Sequence, residues 1–200
     1  MIIKHTSEIM KVFIAVIVLI FSLQSWTKAD DIRDFEIEGM SIGDSALKYF
    51  SKNELEDKKK RGFIYKNKDD KFYSATLHNK DYFKVYDSVQ LHLKKNDKKY
   101  IIYSVGGQKK YHDHDIKKCH SEMDEALKII KQNFKKANIK DAGITDWVQD
   151  SKVKVKSYYI QLVSGDEIAI ECYDFPKNHK FKDDLSIALD SKEFVDWLHY

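Results

Sequence analysis

The sequence predicts an α+β fold: mostly antiparallel sheet, with one long and several short helices packed on one face. Three observations predict it. Tyr82 to Lys94 alternates apolar and polar residues with a period of two. Ile116, Cys119, Met123, Leu127, Ile130 and Phe134 follow one another at steps of three or four, the stripe of an amphipathic helix. Extended and helical segments also lack the strand–helix alternation that builds a parallel sheet.

The elements follow in order. Asp34 to Glu38 reads as an extended lead-in, and Gly39 to Asp44 as a turn into a helix start. Ser41 with Asp44 resembles a capping box, which puts Leu47 and Phe50 on the buried side of a short helix. Ser51 and Glu54 repeat the pattern and predict a second short helix through Leu55 to about Lys60. Gly62 to Lys66 and Phe72 to His78 are strand candidates. In the strand from Tyr82, the odd positions Phe83, Val85, Val89, Leu91 and Leu93 form an apolar face. Asp87 intrudes on that face, which predicts either a bulge or a satisfied hydrogen bond rather than a functional acid. Lys95 to Lys99 makes a turn, and Tyr100 to Gly106 returns as the partner strand. After the long helix and a loop around Gly143, Val153 to Val163 and Glu167 to Phe175 form a hairpin. Leu185 to Leu189 is a last strand, and Asp190 with Glu193 caps a final helix that buries Phe194, Trp197 and Leu198.

The N-terminus adds a second layer. Lys4 and Lys11 precede an uncharged apolar run from Val12 to Phe21, and Ser22 to Ala29 forms a polar exit. This is the pattern of a secretory signal peptide over residues 1–29, cut after Ala29 with Thr27 at the small-residue position. Met10-Lys11 opens a tidier leader by itself, so Met1 and Met10 both stand as start sites. The competing reading, an uncleaved anchor, needs an apolar run of about 20 residues, and this one has ten. The expectation is an exported chain, periplasmic or secreted, that does not span the membrane after cleavage. Residues 30–200 form a single domain, with a lobe break near 107–114 if there are two.

Composition narrows the partners. Loss of Lys4, Lys11, Lys28 and Glu8 with the leader takes the formal net charge from +3 to +1. Such a balanced surface argues against nucleic acid. One proline, seven glycines and 13% aromatics argue against disorder.

Cys119 lies on the apolar stripe of the long helix, and Cys172 shares a strand face with Ile168 and Ile170. An even cysteine count in an exported chain predicts a Cys119–Cys172 disulfide; the alternative is two buried thiols that never meet. His112 and His114 stand two apart in extended chain, a metal-ligand spacing, with Asp113 and Asp115 beside them. The plainer reading is a polar loop whose Asp113 or Asp115 caps the helix. Tyr86, Tyr103 and Tyr158, within a set that includes Tyr82, Tyr100 and Tyr159, are candidates for a ligand or partner surface, against core and sheet packing. No H-E-x-x-H, P-loop, G-x-G-x-x-G or twin-cysteine motif occurs, and no cofactor is expected.

The segment from Trp26 to Ser45 and the ending Ser191-Lys-Glu-Phe-Val-Asp-Trp197 resemble uncharacterised exported proteins of AT-rich marine alphaproteobacteria. That resemblance implies a periplasmic home and no particular chemistry. Gly39-Met40-Ser41, the helical stretch to Lys60 and the strands to Gly106 are similar in order to the fold of β-lactamase inhibitor proteins and small outer-membrane-assembly lipoproteins. The Gly-x-Pro and the lipid-bearing Cys of that group are missing. The expected function is a binding or envelope-accessory module acting on a protein or envelope component. The alternatives are a small-ligand binder with a cavity under the long helix, and a metal-dependent hydrolase built on His112 and His114.

Overall fold

The computed structural model describes residues 31–61, 69–78, 81 and 83–199. The signal peptide expected over 1–29 and the strand expected over 62–66 lie outside these residues. The chain forms α1 (Lys52–Arg61), β1 (Phe72–His78), β2 (Ser88–Lys94), β3 (Ile102–Tyr111), α2 (Ile116–Asn133), β4 (Asn138–Trp147), β5 (Asp150–Gln161), β6 (Glu167–Asp174), β7 (Asp183–Asp190) and α3 (Lys192–His199). The strands make one seven-stranded sheet in the order β1-β2-β3-β7-β6-β5-β4, antiparallel at every pairing. The fold is therefore α+β around a sheet. Two meanders, β1 to β3 and β4 to β7, meet where β3 pairs with β7, and α2 carries the chain from the centre of the sheet to its β4 edge. No helix among the described residues is long and apolar enough to cross a membrane.

Period-two registers divide the sheet into two faces. Cys172 of β6 bonds to Cys119 of α2, so residues level with Cys172 across the ladder face α2. They include Ile168, Ile170, Leu185, Ile187, Leu189, Val105 and Leu91. All are buried, and with Cys119, Met123, Leu127 and Ile130 of α2 they form the main core. Cys119 and Cys172 place their sulfurs 1.97 Å apart, the separation of a disulfide, and no free cysteine remains. Asp115 caps α2, accepting the Lys118 N–H at 3.0 Å.

The last helix departs from the expectation of one helical face. Phe194 of α3 stacks on His92 with ring centroids 4.4 Å apart, and Phe72 lies 5.4 Å from Phe194 and 5.1 Å from Trp197. His92 and Phe72 alternate with the core residues Leu91, Leu93 and Tyr73, so α3 sits on the reverse face. There it forms its own small apolar cluster. The cause is in the alternation itself: Phe72 and His92 give the reverse face of β1 and β2 a ring surface that Phe194 and Trp197 cover.

Other boundaries differ for local reasons. The strand expected from Tyr82 begins only at Ser88, because the Glu38 carboxylate accepts the N–H groups of Lys84, Val85 and Tyr86. The first short helix is a 3₁₀ turn, Ala46–Lys48, capped by Ser45, and Leu47 is exposed while Phe50 is buried. The loop expected around Gly143 is β4, an edge strand with bulges at Asp141/Gly143 and Asp146/Trp147. β3 pairs with β2 on one side and β7 on the other.

Candidate functional site

The β5–β7 half of the sheet separates charge between its faces. In Lys152-Val-Lys-Val-Lys156 the lysines share the α2 face, while Val153 and Val155 are buried on the reverse face. Lys154 pairs with Asp146 at 2.5 Å and Lys156 approaches Asp124 at 3.7 Å. On the reverse face β6 presents Glu167, Ala169, Glu171 and Tyr173 opposite Asp190, Ala188, Ser186 and Asp184 of β7. Four acids thus share one face. Among the described residues none of them has a Lys, Arg or His ion-pair partner.

Glu171 is the centre of this face. Its Oε1 accepts from Ser157 Oγ at 3.2 Å and Tyr159 OH at 3.0 Å, and its Oε2 accepts from Tyr173 OH at 2.8 Å. Burial, reinforced by the Glu171 charge, pushes Tyr159 up to about 12 and Tyr173 well above the usual phenol range. Both tyrosines therefore stay protonated and keep donating. Burial also pushes Asp184 and Asp190 up to about 7. Lys110 opposes the shift at Asp184, and a hydrogen bond with Ser104 opposes it at Asp190. Negative charge on Glu171 adds to the shift at both, and Glu167 contributes at Asp190. Glu167 itself is raised by burial. The Oδ1 atoms of Asp184 and Asp190 are buried without a hydrogen-bond partner. Burial without a paired cation favours the protonated form of Asp184 and Asp190.

An aromatic group adjoins this strip through Tyr173. Its ring lies 5.9 Å from Trp147 and 6.1 Å from Phe175. Phe175 continues to His179 at 4.9 Å and Phe181 at 5.8 Å. Val148, at the tip of the β4–β5 hairpin, is 96% exposed and Phe181 is 45% exposed. The face combines half-buried carboxylates, phenols already committed as donors, a floor of small residues and an apolar end. Chemically it accepts positive charge and flat apolar contact.

The sequence candidates fall in separate places. His112 is exposed. His114, at φ +51°, sets Nδ1 3.3 Å from Asp183 Oδ1 and Nε2 3.0 Å from Lys182 Nζ. These partners assign the proton to Nδ1 and leave both nitrogens engaged. No group of three or more His, Cys, Asp or Glu side chains among the described residues is placed to hold a metal ion. Tyr86, a surface candidate, is 7% exposed, because its ring packs where Gly107 has no side chain: a Cβ there would lie 2.5 Å from the ring. Tyr103 belongs to the α3 cluster and Tyr158 to the α2 face, under Lys156. Asp87 accepts the Lys110 N–H at 2.7 Å.

The acids of the strip went unread in the sequence, although Glu167 and Glu171 share one parity and Asp184 and Asp190 another. Only the β6–β7 register brings the two pairs together. No family model, curated protein or solved structure matches the chain.

Proposed function

We propose that the chain is an exported binding module that offers the reverse face of β5–β7 to a protein or envelope component. The observation that carries this reading is the row of four acids that have no ion-pair partner among the described residues, beside an aromatic group that ends at the exposed Phe181. Glu167 and Glu171 on this face are only half-buried, so they stay open to a cation from outside. The leader-like N-terminus and the single cysteine pair, bonded between α2 and β6, support a site of action in an oxidising compartment such as the periplasm.

A photo-crosslinking amino acid in place of Tyr159, compared with the same probe in place of the exposed Lys128 on α2, tests the reading in the envelope fraction of a producing cell. Adducts from position 159 and none from position 128 are expected. Adducts from both positions alike, or from 128 alone, would remove it. Intact mass of the same preparation should give a chain starting at Asp30 whose thiols react only after reduction.

A further inference from the structure

We infer that the occupant of this face is a basic polypeptide segment, whose lysine or arginine seats its cation against Glu171 beside Tyr159 and Tyr173. The inference rests on the binding-module reading above and names its partner class.

The molecule itself displays the arrangement in filled form. Beside α3, Lys94 Nζ lies 2.8 Å from Glu193 Oε1 and 4.3 Å from the centroid of the Tyr103 ring. A carboxylate and a phenol ring there hold a lysine by ion pairing and cation–π attraction together. Glu171 likewise stands beside two phenols, Tyr159 and Tyr173, here bonded to it through their hydroxyls, and no lysine among the described residues pairs with it. The imbalance is local. The chain has 35 basic and 32 acidic residues, and acids elsewhere, such as Glu122 with Lys109 at 2.6 Å, do find partners. Lys110 acts electrostatically on Asp184, and His199 and Lys140 on Glu167, without forming an ion pair.

Asp190, opposite Glu167 on the same face, is only 7% exposed and keeps Oδ1 without a partner, so positive charge nearby would also lower the cost of that buried acid. The floor between the acids is Ser186 and Ala188, with Gly106 beside Ala188, so a chain can approach the sheet closely. The exposed Val148 and Phe181 extend the surface in apolar form, which suits a polypeptide rather than a free amine.

The test is fluorescence anisotropy of labelled octalysine on the disulfide-intact protein, with labelled octaglutamate as the opposite-charge probe. Octalysine is expected to bind and octaglutamate not. Glu171→Gln should weaken octalysine binding by at least about tenfold, the loss of a charge-assisted contact. Asp57→Asn, an equal change of net charge on α1, should leave it unaltered. Equal weakening by both variants, or no octalysine binding, overturns the inference. Competition by putrescine at the same concentration as octalysine overturns the polypeptide class. Self-association in sedimentation that Glu171→Gln abolishes assigns the face to a second copy and overturns it too.

Carbodiimide coupling of octalysine to the wild-type protein covers the case of a variant that does not fold. Amide bonds mapped to Glu171 or Glu167 support the inference, and bonds confined to acids elsewhere overturn it. An adduct from position 159 without octalysine binding leaves the module reading standing and removes only the basic partner.

Discussion

Glu38 Oε1 accepts the backbone N–H of Tyr86 at 2.9 Å. The same oxygen accepts from Val85 and its Oε2 from Lys84, each at 2.8 Å. One side chain from the N-terminal lead-in therefore holds three successive amides, which fixes where β2 begins. Glu38 does so from a left-handed backbone at φ +52°, followed by Gly39 at φ +79°. Glu38→Ala should cost about 3 kcal/mol, since it leaves three donors without their charged acceptor. Glu38→Gln, which keeps one carbonyl, should cost less. Urea midpoints give both values. Amide exchange at residues 84–86 should accelerate in the Ala variant while β6 is unchanged.

The disulfide closes a loop of sequence separation 53. The chain-entropy model assigns such a link about 4 kcal/mol. Cys119→Ala with Cys172→Ala should lower stability by up to that amount, and a reducing agent should lower the wild type similarly. A double variant as stable as the oxidised parent would show that packing of α2 on β6 and β7 suffices.

Legibility followed burial. Where one face meets the core and the other does not, the alternation survives in the residues, as in Ser88 to Lys94 and in α2. β4 was unreadable because neither face is deeply buried and its bulges break the period at Gly143. Its charges, Lys140, Asp141 and Asp146, belong to an edge that resists pairing with other chains. The reverse-face position of α3 was not legible, since apolarity at Phe194 and Trp197 says that a side is covered but not by which face of the sheet. The cysteines could be paired because both carried a burial signature. The acid strip could not be assembled, because it needs the β6–β7 register.

Stability of the acid strip should depend on pH with a defined sign. Asp190 titrates near 7 when folded, because burial raises it, and at about 3.9 when unfolded. Its contribution is therefore complete below about pH 4 and is lost as pH rises through 7. His92 acts oppositely: burial pushes it down to about 3, so its contribution is present above about 6.5 and is lost as pH falls towards 3. The difference between parent and Asp190→Asn isolates the acid. The Asn variant should gain on the parent steadily from pH 4 to pH 7.5, by a few kcal/mol at the upper end. A constant difference across that range would mean that Asp190 does not change protonation on folding.

Gly107 and Tyr86 supply the last test, of packing rather than charge. A Cβ at Gly107 would stand 2.5 Å from the Tyr86 ring, closer than any side chain tolerates. Gly107→Ala should therefore cost more than about 2 kcal/mol, from the clash and the displaced ring. Tyr86→Phe should behave quite differently. The Tyr86 hydroxyl is buried without a hydrogen-bond partner, and burial pushes its ionisation well above the usual range. Removing the hydroxyl takes away an uncompensated polar group and keeps the ring, so Tyr86→Phe should be neutral or stabilising. Tyr86→Ala should be destabilising alone, yet should relieve much of the cost of Gly107→Ala in the double variant, because the atoms in collision are gone. Thermal midpoints of the four proteins close the cycle. Additive losses would mean that the ring does not sit on Gly107, and would also loosen the link from Glu38 through the Tyr86 amide to the start of β2.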